Sequence, residues 1–418
     1  MDGNERIADE AQLQALLREL SQQLLTWSWE GVAGYEQMVE RVGRCYGYPD
    51  TTVNMDAQSA MIKLDPDAPI TFVKCGIPGF PPLAKTQDIR NLLEDIYAGK
   101  LSVHQARESL KGIQKKEPPY SPFLVWLGVI LISVAFAVDI VGTWEGLLWA
   151  GITAMATGLV FLAADRIPTF SKIGQLTATL VSGIIVMLAF KFGWTTAAPG
   201  LLLIASTFVF LPGDSISTQA FELAEGKWSA GIARLGYSIM TLVLMVTGAF
   251  LAAMFTGTTI KELLPTGPHD AFPWWAAYPG HALMLLGILL AFQMRWRHFP
   301  QGLLTMLATT AVLQLATMAY GETAGIFLAM TAGTILALWL SRKPYQIPAF
   351  VMVIPLVFML SPGSRGLRQF ETWLSGESIT GVNDFQTAAA TLLAIAMGML
   401  VGSIIGRRWI WFRERKRI

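Results

Sequence analysis

Residues 211–234 read LPGDSISTQAFELAEGKWSAGIAR, and residues 361–384 read SPGSRGLRQFETWLSGESITGVND. In each, a Pro-Gly pair (Pro212-Gly213, Pro362-Gly363) is followed, after twelve intervening residues, by a glycine (Gly226, Gly376). After four more intervening residues comes another (Gly231, Gly381). All four positions share one offset of 150 residues. A single Pro-Gly match would carry little. Four positions at one offset, each set leading into a long apolar run, signal an internal repeat.

Outward from these stretches lie ten apolar segments, roughly 121–138, 146–163, 173–190, 197–211, 232–256, 277–294, 302–319, 322–340, 346–361 and 385–406. Most are long enough to cross a bilayer at 1.5 Å rise per residue. The fourth and ninth are short and run into the Pro-Gly pairs. Composition agrees, because 53% of the chain is hydrophobic and only 15% charged, against about 25% charged in soluble domains. The charges are unevenly placed: 30 in the first 120 positions, 31 in the remaining 298. A wholly soluble, fibrous or secreted chain is excluded. A net charge of +1 gives no argument for nucleic acid.

The expected fold is therefore a polytopic α-helical membrane protein preceded by a soluble α+β domain. Its expected domains are 1–118 (cytoplasmic α+β), 119–258 and 271–408 (two five-helix repeats), and 409–418 (a basic cytoplasmic tail). In the first domain, helices are expected at 10–26, 34–45, 88–98 and 103–113, and short strands near 51–55, 59–64 and 70–74. The opening stretch Met1–Glu10 is acidic and polar, without the apolar core of a secretory signal. With that domain inside, 14 Lys/Arg beyond residue 120 fall on the cytoplasmic side and four on the other. This is the positive-inside bias, and it sets both termini in the cytoplasm. Five crossings per repeat make the second copy enter from the opposite face, an inverted repeat of the kind that builds alternating access.

Short, Gly/Pro-interrupted segments at matching positions point to the substrate site. Around the first lie Asp214, Ser217, Thr218 and Glu222, with Arg234 opening the next helix. Around the second lie Ser361, Ser364, Arg365, Arg368 and Glu371. Carboxylates with basic partners suit a small amino acid or organic acid, because arginine binds a carboxylate bidentately. Glu222 is also a candidate proton carrier. The alternative is a helix that ends at Pro-Gly and an ordinary polar loop, but Ile216–Leu223 has helical character, so a partly inserted broken helix is expected. Asp139 and Glu322 are read as interfacial, Lys191 as snorkelling, and His269, His281 and His298 as too scattered for a metal. No cofactor or metal is expected. Gly398-Met-Leu-Val-Gly402 is a Gly-x-x-x-Gly stripe that suits a homo-oligomer.

The chain resembles the threonine/serine exporter family, including its split two-subunit relatives associated with succinate export. The resemblance rests on Gly34-Tyr-Glu-Gln-Met-Val-Glu-Arg-Val-Gly43, Gly47 and Leu101–Leu110 in the soluble part. In the first membrane half it rests on Leu211-Pro-Gly213, Glu222, Gly226 and Gly231-Ile-Ala-Arg234. In the second it rests on Ile354-Pro355, Pro362-Gly363-Ser364, Gly366, Arg368 and Gly376. The split relatives carry aspartate where Glu222 stands, and Met359-Leu-Ser361 replaces a small apolar stretch. The resemblance implies a secondary transporter moving small hydrophilic metabolites out of bacteria, with a cytoplasmic N-terminal domain and ten spans. The expected function is proton-coupled export of threonine or serine, not an enzymatic activity. The alternatives are C4-dicarboxylate (succinate) export and a membrane enzyme using Cys75 in the first domain.

Overall fold

The computed structural model describes residues 3–27, 31–75, 82–263, 272–341, 349–360 and 390–406 apart from 392. The chain divides into two compact units, one comprising Met1–Pro119 with Thr218–Leu235, the other Tyr120–Ser217 with Gly236–Ile418.

The first unit carries helices α1 (Gly3–Trp27) and α2 (Val32–Cys45), strands β1 (Thr52–Met55), β2 (Ser59–Lys63) and β3 (Thr71–Lys74), then α3 (Leu83–Tyr97) and α4 (Val103–Lys115). The strands form an antiparallel meander, Val53 opposite Ile62 and Ala60 opposite Val73. Val53, Met55, Ala60, Ile62 and Val73 are buried, while Phe72 is exposed on the other face. That alternation is what an antiparallel sheet covered on one side requires. Leu13, Leu16, Leu17, Leu20 and Leu24 present one face of α1 to the same core, with Tyr35, Val39 and Val42 of α2. Ser102 and Gln105 close a capping box at the start of α4. One core residue comes from far along the chain, Ala230.

The second unit is built of α5 (Pro122–Ile140), α6 (Trp144–Arg166), α7 (Pro168–Ser171), α8 (Gly174–Lys191) and α9 (Pro199–Ser206), followed by a 3-10 turn at Phe208–Phe210. Helices α10 (Gly213–Ala224) and α11 (Trp228–Thr256) contribute residues to both units. Next come α12 (Ile260–Leu263), a 3-10 turn at Trp274–Ala276, α13 (Ala277–Ala291), α14 (Phe299–Tyr320), α15 (Glu322–Leu340), α16 (Ala349–Leu360) and a last apolar helix, Leu393–Gly406. Among the described residues, seven helices are long and apolar enough to cross a bilayer: those of α5, α6, α8, α11, α13, α14 and α15. Outward-facing Leu148, Leu159, Met254 and Leu315 stay exposed. A lipid-facing surface can afford this and a water-facing one rarely does.

Glycine permits a close helix crossing. A Cβ on Gly128 would stand 2.8 Å from the Gly287 carbonyl, and one on Gly287 would stand 2.8 Å from the Gly128 carbonyl. α5 and α13 thus cross backbone to backbone through one residue from each. Phe136 of α5 stacks on Phe208, Phe292 beyond α13 packs on Phe358, and Phe208 meets Phe358 edge-on at 6.0 Å. Phe208 and Phe358 lie four residues ahead of their respective prolines, at the repeat offset.

Two expectations change. Cβ atoms on Gly398 and Gly402 would meet the Phe327 and Thr331 carbonyls of α15 at 2.7 and 2.8 Å. That Gly-x-x-x-Gly stripe is therefore used inside the chain and gives no argument for an oligomer. Lys191 does not simply snorkel, because its Nζ donates to the Thr256 carbonyl at 2.9 Å, where α11 ends and carbonyls lack partners.

Candidate functional site

The first repeated motif forms a helical hairpin. Pro212 stands at the threshold of α10, where its missing N–H is no loss, and the Ile216 amide bonds back to its carbonyl at 2.9 Å. Gly226 ends the helix with φ 80°, the left-handed conformation glycine adopts without strain. The Gly226 amide reaches the Leu223 carbonyl (3.1 Å) and the Lys227 amide the Glu222 carbonyl (2.8 Å), which together make a Schellman stop. Gly231 then lets α11 fold back closely, since a Cβ there would lie 2.7 Å from Leu223 Cγ and 3.2 Å from the Gln219 carbonyl. The repeated glycines are thus the turn and the contact of a hairpin, and the loop alternative does not hold for this copy.

The hairpin turns Glu222 toward Arg234. Arg234 Nε donates to both carboxylate oxygens, at 3.1 and 3.0 Å. The first amide of α2, Val32 N–H, donates to Oε1 at 3.2 Å. Glu222 is fully buried and Arg234 nearly so. A carboxylate at a helix N-terminus meets the positive end of its dipole, which favours the pairing. Glu222 lies outside the spanning helices. Burial pushes its carboxyl above the usual range, and Arg234 and the Val32 amide work against that rise.

Two further ties join this segment to the domain core. Lys227 Nζ pairs with Glu36 at 2.5 Å, and Glu36 also accepts the Met55 amide at 2.8 Å. Ser229 donates to Asp56 at 2.5 Å. Beside them lies a cavity of about 310 Å³ bordered by Asn54, Asp56, Ser59, Lys227 and Trp228, at the lower end of the range of small-molecule sites.

Asp214 and Ser217 lie on α10, and Thr218 is buried one turn before Glu222. Ser361, Pro362, Gly363, Ser364, Arg365, Arg368, Glu371, Gly376 and Gly381 lie outside the described residues. Cys75 is buried in the core of the first unit, and burial pushes its thiol up, away from the thiolate a nucleophile needs.

A family model described as "Putative threonine/serine exporter" (ThrE) matches residues 29–256, more than half of the chain. The chain belongs to the threonine/serine exporter family. It is 26% identical over 341 residues to a threonine/serine exporter of Corynebacterium glutamicum, covering 78% of this chain and 68% of that one. It is 22% identical over 396 residues to a protein of Mycobacterium tuberculosis (strain ATCC 25618 / H37Rv) named "Probable threonine/serine exporter", covering 90% and 73%. No solved structure matches. The exporter-family match takes in the whole α10–α11 hairpin, with Pro212, Gly213, Glu222, Gly226, Gly231 and Arg234.

Sequence reading missed one cluster altogether. His281 of α13 lies with Nδ1 2.8 Å from Thr310 Oγ1 of α14 and Nε2 3.3 Å from Asp139 Oδ2 of α5. His281 and Thr310 are buried, and Asp139 is partly open. The available signal was an ionisable residue inside each of two apolar segments. Their separation of 142 residues hid the pairing.

Proposed function

We propose that this chain exports threonine, serine or a closely related small amino acid from the bacterial cytoplasm, driven by inward proton movement. The observation that carries the reading is the family match across the hairpin that buries Glu222 against Arg234. A zwitterion carries both charges of that pair. Its carboxylate can compete for Arg234 and its ammonium for Glu222, so the substrate can exchange with an ion pair already in place.

The working architecture is ten spans in two inverted five-helix repeats, with alternating access between them and both termini cytoplasmic. The Phe208–Phe358 contact supports it, because a two-fold pseudo-axis brings residues at the repeat offset together. Arg365, Arg368 and Glu371 are then the second-half counterparts of the α10 charges, on the outer side. The relatives support an amino-acid cargo, and none of them supports a dicarboxylate.

The test is counterflow in proteoliposomes loaded separately with threonine, serine, alanine and succinate. Saturable exchange of threonine or serine, weakened by Arg234→Lys, is the expected result. Exchange of succinate alone, or of none of the four by folded protein, would overturn the assignment.

A further inference from the structure

We propose that His281, held between Asp139 and Thr310, is the proton-binding site of the membrane unit. The inference rests on the proton-coupled reading above and names the group that would serve it.

The surroundings restrict the charge. The elements packed on α13 are chiefly α5, α14, α16 and the turn Trp274–Ala276. None carries a lysine or arginine, and Asp139 is their one charged side chain. The other titratable groups on these elements and α13 are Tyr278, edge-on to Trp274, and Tyr320, which is 73% exposed. Among the described residues, an imidazolium here therefore faces one carboxylate and no cation. A charge buried in a membrane segment persists only with such a partner.

A histidine that merely fills a core needs partners for one protonation state. This one has partners for both. Thr310 Oγ1 lies 2.8 Å from His281 Nδ1 and 2.9 Å from the Met306 carbonyl, and a hydroxyl has one hydrogen and free rotation. In the unloaded state Nε2–H donates to the Asp139 carboxylate, and the Thr310 hydroxyl donates to Nδ1. On loading, one proton from water ends as the Nδ1 hydrogen. The Thr310 hydrogen turns to the Met306 carbonyl, and Nδ1–H donates to the Thr310 oxygen. One N–H bond forms, the pair goes from charge −1 to 0, and every hydrogen bond is replaced. Release is the reverse.

The position suits coupling. Asp139 ends α5, so the pair opens at a helix end, whereas Thr310 is fully buried. Thr310 Oγ1 also lies 3.5 Å from Met359 Sδ, at the end of α16 and just ahead of Pro362-Gly363. Proton loading thus alters the contact between Thr310 and Met359 at the end of α16.

The experiment labels the histidine rings of the full chain with 15N in detergent micelles. There are only four histidines, so His281 is identified by the signal lost in His281→Gln. The expected result is that acidification turns the neutral ring into a doubly protonated one, less readily in Asp139→Asn and Thr310→Val and as in wild type in Thr310→Ser. A ring that keeps one state throughout, or a midpoint indifferent to Asp139→Asn, overturns the proposal. In proteoliposomes, uptake driven by a pH gradient is compared with counterflow in the same vesicles. A ratio that falls to the no-gradient level in Thr310→Val and recovers in Thr310→Ser supports the site. A ratio unchanged in Thr310→Val removes it and leaves export standing. Wild-type counterflow that ignores the gradient removes proton coupling and this site together. If wild type shows no counterflow, the export reading fails, and the ring titration alone judges the proton site.

Discussion

Glu222 and Arg234 stand or fall together. Removing one partner of a buried ion pair strands the other without water, which costs about 3–5 kcal/mol, whereas removing both in favour of apolar side chains is often neutral. Glu222→Gln is therefore expected to lower the thermal unfolding midpoint of the purified chain more than Glu222→Leu/Arg234→Met does. Equal or additive losses would mean that the pair is not coupled. The pH dependence has a definite sign. A carboxyl whose folded-state pKa is raised takes up a proton in the folded state first, so its contribution is present at low pH and lost as pH rises through the folded value. Wild type should gain stability on acidification from neutral pH relative to Glu222→Gln, which has no carboxyl proton to take up, whatever the sign of their difference at pH 7. A gap independent of pH would contradict the burial argument. The two cysteines offer a simpler check. Cys45 is exposed and Cys75 buried with its thiol pushed up, so a thiol reagent at mildly alkaline pH should modify Cys45 in the native protein and Cys75 only after unfolding. Rapid stoichiometric modification of Cys75 would revive a nucleophilic role.

At the scale of elements, helix crossings decide what glycine is for. Gly287 faces backbone at 2.7 and 2.8 Å, with nothing flexible to yield. Gly236, also in a helix, has nothing within 4 Å of the site of a Cβ. The same change should thus have opposite signs. Gly287→Ala overpacks the α5–α13 crossing and is expected to destabilise by about 1–3 kcal/mol. Gly236→Ala gains helix propensity of at most about 1 kcal/mol. Unfolding midpoints of the two variants in one detergent test this, and a stabilising Gly287→Ala would rule out the close crossing. Hydropathy made these helices legible in advance, because an apolar run of nearly twenty residues has few other uses. The hairpin at Pro212–Arg234 was legible too, since Pro-Gly and two glycines are conformational requirements written locally. Hydropathy was silent on who meets whom. Ala230 is an unremarkable residue between two hydrophilic stretches, yet it belongs to the core built by α1 and α2. Glu222 was singled out for its setting, but its partner Val32 N–H is a backbone group 190 residues away, and no side-chain pattern announces a backbone donor.

For the whole molecule, inversion of the two repeats makes a prediction that parallel repeats would reverse. Phe192, just beyond α8, and Arg342, just beyond α15, occupy equivalent places at the 150-residue offset. Each follows the third helix of its half. In an inverted arrangement the two lie on opposite faces of the membrane; in a parallel one they share a face. Phe192 is 62% exposed, so a cysteine there is reachable, and the basic neighbours of Arg342 argue for the cytoplasmic side. With Cys45 and Cys75 replaced by serine, Phe192→Cys should react with an impermeant maleimide in intact cells. Arg342→Cys should react only after the cells are made permeable. Cys45 restored alone reports the N-terminal domain and should follow Arg342→Cys. Labelling of both third-helix positions from outside would dismiss the inversion, and alternating access between inverted halves with it. Labelling of Arg342→Cys alone from outside would keep the inversion but turn the protein over. The Asp139–His281 pair would then open toward the cytoplasm, where an inward proton gradient could not load it.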